Sequence, residues 1–327
     1  MSAERWGFWV KFVLTPIIVF FGTIGNSLSL IVMKSKGLRH KSYSQLLSVL
    51  AIFDTLTLIL RQIQTIDQFL DHGIFKGFND FGCKLYNFIE HIAYLMSSWL
   101  IVFMAVERVL AVCLPFKKFR IRRQSGATAS IVLLFIAICL SQAFRLVMVE
   151  QYGETCASSD NFFLLYTNLH LYFYYMTLTF ILPVAIVLTC NALVLYQIFK
   201  VKQEVKKENT RNREHRAVRK TQRTTCMLLI VSGTFLLTLL PLLTLSLVVD
   251  ITVKTKGKAA LSFYKSMVPY LDLVVALSLV NYGVNFFIYI LSGKSFRYEL
   301  RKVFYGQKPR ATRSITARST KEEIIRL

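Results

Sequence analysis

Residues 83–113 read CKLYNFIEHIAYLMSSWLIVFMAVERVLAVC. From Cys83 to Arg108 the chain advances 25 residues, about 37 Å of helix at about 1.5 Å per residue, enough to cross the hydrocarbon of a bilayer and reach both interfaces. Its middle is apolar, and the pair Glu107-Arg108 closes it. Six further stretches of about 20 mainly apolar residues surround this one. The seven fall near 8–33, 43–66, 82–113, 126–149, 168–199, 224–249 and 266–291. The pattern predicts an all-α membrane protein, a seven-transmembrane helix bundle occupying residues 1–305.

The chain has 327 residues, 54% hydrophobic and 18% charged, with 40 Lys and Arg against 18 Asp and Glu and a net charge of +22. A nucleic-acid binder could carry that charge, but not together with seven such runs. Placement explains it. The connections 34–42, 108–125 and 200–223 and the segment after 292 hold 30 of the 40 basic residues. Basic loops stay on the cytoplasmic side, so the N-terminus is expected outside and the C-terminus inside. Residues 293–305 place Phe296, Leu300, Val303 and Phe304 on one side and Lys294, Arg297, Arg301 and Lys302 on the other, which predicts a short amphipathic interfacial helix touching membrane lipids. Residues 306–327 are expected to be a disordered cytoplasmic tail. About eight residues precede the first span, so any ligand is expected to be gripped by loops and bundle.

Four of the six cysteines lie in or at the ends of spans, and only Cys83 and Cys156 fall on the outer side. A disulfide between them follows from the oxidising compartment there. An ionisable group at mid-membrane costs about 2.5–3.5 kcal/mol on insertion scales, so Asp54 and Glu90 are candidate functional residues. Glu90 lies seven residues after Cys83 and Ser97 seven further, which sets all three on one helical stripe. Two roles for Glu90 stay open: an internal ion pair with Arg61 or Arg145, or a counter-charge for a cationic ligand group. Tyr94, one turn on, and the rim residues Asp67, Tyr270 and Asp272 extend an acidic, aromatic mouth. Tyr166 and Tyr174 add to it.

The chain resembles the rhodopsin-like (class A) G-protein-coupled receptors. Glu107-Arg108-Val109 is similar to their D/E-R-Y motif, with Pro115 seven residues on. Gly25-Asn26, Leu50-Ala51-x-x-Asp54, Cys83 with Cys156, Pro183, Phe235 with Pro241, Asn285-x-x-x-Tyr289 and Phe296-Arg297 recur in the family's order. Val109, Leu239, Phe286 and Asn191 depart from it, standing where Tyr, Trp, Pro and Tyr are usual. Asn285-Phe286-Phe287-Ile288-Tyr289 followed by Gly293-Lys294-x-Phe296-Arg297 is nearest in look to invertebrate neuropeptide receptors of the FMRFamide and myosuppressin kind.

The resemblance implies a plasma-membrane receptor and not an enzyme, with an extracellular peptide ligand, a heterotrimeric G protein and arrestin as partners. It assigns Glu107, Arg108, Pro115, Phe235, Pro241, Asn285 and Tyr289 to switching and coupling; Thr221 and Thr225 lie near the place of the family's usual sixth-span acid, so Glu107 is the expected partner of Arg108 at rest. It gives Asp54, Ser97, Asn281 and Asn285 to an allosteric sodium ion, with no other cofactor implied. Thr312, Ser314, Thr316, Ser319 and Thr320 alternate with basic residues as candidate phosphorylation sites. No Lys lies between Lys265 and Lys294 to bear an opsin's Schiff base, and amine receptors carry Asp where Glu90 stands. The alternatives are a small-molecule receptor and, from another class, a transporter or ion pump. The latter needs several mid-membrane ionisable groups or broken helices related by pseudosymmetry; Asp54 and Glu90 are too few, and no inverted repeat is visible.

Overall fold

The computed structural model describes residues 2–71, 73–113, 124–152, 155–208, 212–256 and 260–305. Pro115 and the five candidate tail sites Thr312, Ser314, Thr316, Ser319 and Thr320 lie outside the described residues. Among the described residues seven helices are long and apolar enough to cross a membrane: Arg5–Met33, Tyr43–Phe69, Asp80–Cys113, Ser125–Met148, Asp160–Val201, Cys226–Thr252 and Ser262–Gly283. Helix is the form such segments must take, because hydrocarbon offers the backbone no hydrogen-bond partners. A twelve-residue helix, Lys294–Tyr305, follows the seventh span.

The third span is the central one. In its most apolar stretch 61% of residues are buried, against 17% in the fifth span and 22% in the fourth. Leu95, Met96, Leu100 and Ile101 pack there with Leu46, Leu47 and Leu50 of the second span, Phe235 of the sixth and Tyr289. Leu140, Leu164 and Leu237 are instead more than 70% exposed, as apolar residues facing lipid are.

Two departures from the expected spans have local causes. The seventh span divides at Val284 into Ala260–Gly283 and Asn285–Ser292. There Gly283 approaches Gly22 of the first span so closely that a Cβ at Gly283 would meet the Gly22 Cα at 3.1 Å. Asn26 Nδ2 donates to the Tyr282 carbonyl at 2.9 Å, tying the two spans beside that contact. Phe286, where the family has Pro, lies against Gly25, whose missing Cβ makes room for it.

The fifth span is longer than expected and is wound wide, with i→i+5 bonding, over Leu169–Ile181. Thr177 and Thr179 hydroxyls donate to carbonyls five residues back, at 2.9 and 3.1 Å. Leu182 N–H likewise reaches the Thr177 carbonyl. The next donor in that register belongs to Pro183, which has no N–H. The Leu178 carbonyl takes the Trp99 indole N–H instead, at 3.0 Å.

At the Cys83 end, strands Val149–Tyr152 and Thr155–Ser158 form an antiparallel hairpin with Gln151 opposite Cys156. Cys156 is bonded to Cys83, Cα to Cα 5.3 Å. Asp80 Oδ1 accepts the Gln151 N–H at 2.9 Å, a second tie between hairpin and third span.

Candidate functional site

Below the hairpin lies a cavity of about 600 Å³, within the usual range for a ligand site. The second span supplies Arg61 and Gln64, and the third Asn87, Glu90, His91 and Tyr94. The fifth brings Tyr166, His170, Tyr174 and Tyr175, the sixth Leu239 and Leu243, and the seventh Asp272 and Tyr282. The i, i+3, i+4, i+7 spacing of Asn87, Glu90, His91 and Tyr94 is one face of a helix, so this quartet was fixed by sequence once one member faced inward. The wide turns of the fifth span bring Tyr166, His170 and Tyr174 into line: Tyr166 and His170 rings stack 5.7 Å apart, His170 and Tyr174 5.6 Å.

Glu90 is buried, and its Oε1 accepts from Gln64 Nε2 at 2.7 Å. Arg61 Nη1 in turn donates to Gln64 Oε1. Gln64 thus stands between acid and base, and among the described residues neither Arg61 nor Arg145 forms an ion pair with Glu90. Glu90 Oε2 takes no donor from the described residues. Asp272 lies half-buried at the cavity wall with no hydrogen bond to them.

Arg145, fully buried, is held by neutral acceptors. Its Nε donates to Gln142 Oε1 at 2.9 Å, Nη1 to Asn87 Oδ1 at 3.0 Å and to Tyr166 Oη at 2.9 Å, and Nη2 to His170 Nδ1 at 2.9 Å. The guanidinium carbon lies 4.6 Å from the Tyr174 ring centroid, a cation–π contact. His91 Nδ1–H donates to the Asn87 carbonyl at 2.7 Å, leaving Nε2 as acceptor. His170, accepting at Nδ1, keeps its proton on Nε2. The two imidazoles are 5.3 Å apart and present opposite hydrogen-bonding character to the cavity.

Two of the residues expected at the mouth have other work. Asp67 is fully buried, and its Oδ1 accepts the N–H groups of Ile74 and Phe75 at 3.0 and 2.9 Å, so it shapes the connecting turn and does not line the cavity. Tyr270 is 47% exposed and packs edge-on against Trp6 at 5.4 Å, also outside the cavity. Glu90, Tyr94 and Asp272 do line it.

Within the cavity lining the Tyr94 and Tyr282 rings meet at 5.8 Å. Below them Asp54, fully buried, accepts from Ser97 Oγ on one oxygen and from Asn285 Nδ2 on the other, the latter at 2.7 Å. Asn281 is buried one turn before Asn285, which also reaches its carbonyl at 3.5 Å. A carboxylate, a hydroxyl and two carboxamides are a donor set that suits a hard monovalent cation, though both Asp54 oxygens already have protein donors here.

At the far end of the third span, Arg108 Nη2 lies 3.1 Å from Glu107 Oε2. Its guanidinium carbon stands 5.7 Å from the Tyr43 ring centroid, and its buried Nε has no partner among the described residues. Tyr289, one turn after Asn285, packs edge-on to Phe296 at 5.6 Å. Phe235 is fully buried, and Pro241 lies inside the continuous helix Asn212–Lys256. Arg297 Nη1 donates to the last carbonyls of the seventh span, Leu291 at 2.8 Å among them, which fixes the terminal helix to that span's end. Sequence reasoning missed the Gln64 relay, the Asn87–Arg145–His170 network and the Trp99 bond. The first two involve polar residues that look like ordinary surface amides, and the third depends on helix winding.

Comparison with known proteins fits this geometry. A family profile described as 7 transmembrane receptor (rhodopsin family) matches residues 25–289. Neuropeptide receptor 18 of Caenorhabditis elegans is 31% identical over 129 residues, 38% of this chain and 26% of the relative. The FMRFamide receptor of Drosophila melanogaster is 24% identical over 334 residues, 94% of this chain and 56% of the relative. The sex peptide receptor of the same fly is 25% identical over 322 residues, 89% and 72% of the two chains. Alignment thus spans only a quarter to about half of the first two relatives. A disulfide at one end of the third span, an Arg-bearing motif at the other, and a profile match from residue 25 to 289 together make this chain a member of the rhodopsin family of seven-transmembrane receptors, a multi-pass membrane protein and not an enzyme.

Proposed function

We propose that the protein is a plasma-membrane receptor for an extracellular neuropeptide, with the Cys83 end outside and the Arg108 end facing the cytoplasm. The placement of 30 of 40 basic residues in the connections on the Arg108 side and the following segment supports that orientation. The peptide reading is supported by the printed names of the relatives, a neuropeptide receptor, an FMRFamide receptor and a sex peptide receptor.

One observation carries the ligand reading: a buried carboxylate, Glu90, opens to the cavity with an oxygen that none of the described residues satisfies. Glu90 and Asp272 line the cavity with Arg61, and Arg145 is buried behind its wall on Asn87, Tyr166 and His170; the open charge is the Glu90 carboxylate, with neutral imidazoles beside it. A basic side chain entering between aromatic walls meets both that charge and cation–π surface. The ligand acts by binding the active arrangement better than the resting one. The column Tyr94–Tyr282, Asp54–Asn285 and Tyr289–Phe296 leads from the cavity toward Arg108. On activation Arg108 parts from Glu107 and Tyr43, and a helix of a heterotrimeric G protein occupies the opened cleft. Asp54, Ser97, Asn281 and Asn285 hold a sodium ion that favours the resting arrangement.

The test is GTP exchange on a panel of G proteins with peptide pools, comparing the wild type with Glu90→Gln. The glutamine side chain still accepts from Gln64, so the fold is spared while the charge goes. A drop in potency of at least about tenfold at normal surface expression is expected, the size of one charge-assisted hydrogen bond. Equal potency rejects the role of Glu90. A response to small amines or lipids but to no peptide rejects the peptide class, and ion flux without ligand rejects the receptor reading.

A further inference from the structure

We infer that Tyr43 is the positioning residue that parks Arg108 at rest, its ring face holding the guanidinium against the second span. Glu107 cannot supply that restraint. It directly precedes Arg108 on one helix, so their 3.1 Å ion pair travels with the third span and ties it to no other. Among the described residues the cross-span partner of the guanidinium is Tyr43, at the start of the crossing Tyr43–Phe69. Its ring centroid lies 5.7 Å from the guanidinium carbon. Arg108 Nε is buried with no partner among the same residues, so no hydrogen bond from that nitrogen shares the restraint.

The contact is made by the ring and not by its hydroxyl, which bonds to none of the described residues, while the ring packs against the buried core. The Arg108 side chain is only 11% exposed, and a desolvated cation is attracted to an aromatic face more strongly than a hydrated one. Lys41 Nζ also lies 5.6 Å from the Tyr43 centroid. Lys41 stands two residues before Tyr43 on the same segment, so that pair, like Glu107–Arg108, joins nothing across spans. The unsatisfied Nε makes the parked arrangement costly to keep, and the ring contact offsets part of that cost. Losing the contact shifts the balance toward the active arrangement because only the resting one contains it. The inference rests on the coupling role proposed above for Arg108.

Basal GTP exchange is read without added peptide, in membranes at matched surface expression. Tyr43→Phe should match wild type within a factor of about two, and Tyr43→Leu should raise the rate roughly fivefold. A trifluorinated phenylalanine placed at position 43 by nonsense suppression keeps the shape of the ring and withdraws the negative charge of its face. It should raise the rate nearly as far as Tyr43→Leu, and it decides the matter if Tyr43→Leu folds poorly. A rate equal to that of Tyr43→Phe overturns the inference. Lys41→Gln should leave the rate unchanged, and a rise equal to that of Tyr43→Leu gives the ring to Lys41 and overturns it too. A second readout needs no G protein. A fluorophore on the exposed Cys226, at the start of the sixth crossing, follows that span in purified protein carrying Cys113→Ser and Cys139→Ser. Its emission should shift in Tyr43→Leu and in the trifluorinated variant, but not in Tyr43→Phe. A shift without exchange on any G protein upholds the restraint and rejects the coupling reading, whereas no change in either readout rejects the restraint.

Discussion

Trp99→Phe tests the account of the fifth span. In wild type the Leu178 carbonyl accepts the indole N–H at 3.0 Å, because the i→i+5 register hands its place to Pro183, which has no N–H. Phe retains most of the ring and removes the donor. Hydrocarbon supplies no water in exchange, so an orphaned acceptor costs about 1–3 kcal/mol. The smaller ring also loses packing, and a single variant cannot separate the two losses. A double-mutant cycle with Pro183→Ala can. The introduced alanine supplies the missing N–H to Leu178, making the indole bond redundant, while the packing loss is the same in both backgrounds. Melting midpoints of purified receptor, followed with a thiol-reactive dye that reaches the buried Cys190 on unfolding, should fall several degrees for Trp99→Phe in wild type. They should fall clearly less in the Pro183→Ala background, a coupling of about 1 kcal/mol. Equal losses in both would refute the reasoning, since Pro183 would then have no part in leaving Leu178 open.

Three other outcomes follow from the structure. Asp54→Asn should abolish any dependence of agonist affinity on sodium concentration, measured by radioligand competition in sodium and choline buffers, while leaving surface expression. Gly283→Ala should destabilise the receptor by about 1–3 kcal/mol through overpacking, because its Cβ would meet Gly22 Cα at 3.1 Å; Gly233→Ala, with nothing within 4 Å, is the control, and thermal melting of both reads the difference. Phe286→Pro, which restores the usual family residue, should widen the gap beside Gly25 and raise basal GTP exchange relative to wild type.

Much of the architecture was legible along the chain because lipid is a demanding solvent. Each crossing must be a helix of about 20 apolar residues, and the seven runs near 8–33 to 266–291 carry that signal directly. Distances along the third span were legible too, since helical rise is fixed: Cys83 and Arg108 lie at opposite ends, with Glu90 and Ser97 between. The acids were harder to place. Asp67 and Asp272 look alike in sequence, yet Asp67 is spent on the N–H groups of Ile74 and Phe75 and Asp272 lines the cavity. Which of them faces a ligand depends on how a short connection turns, and no periodicity encodes that.

The sequence by itself determined the class of fold, the number of spans, the cysteines able to pair and the residues whose charge is costly in a bilayer. Each of these follows from transfer energies and helix geometry acting on single segments. Only the tertiary structure decided what those residues touch. Gln64 separates Arg61 from Glu90, Arg145 is satisfied by Asn87, Tyr166 and His170, and Trp99 completes a bond that Pro183 cannot make. These contacts join different spans, so they depend on helix rotation and winding. Packing of the whole bundle sets both, and no one segment specifies them.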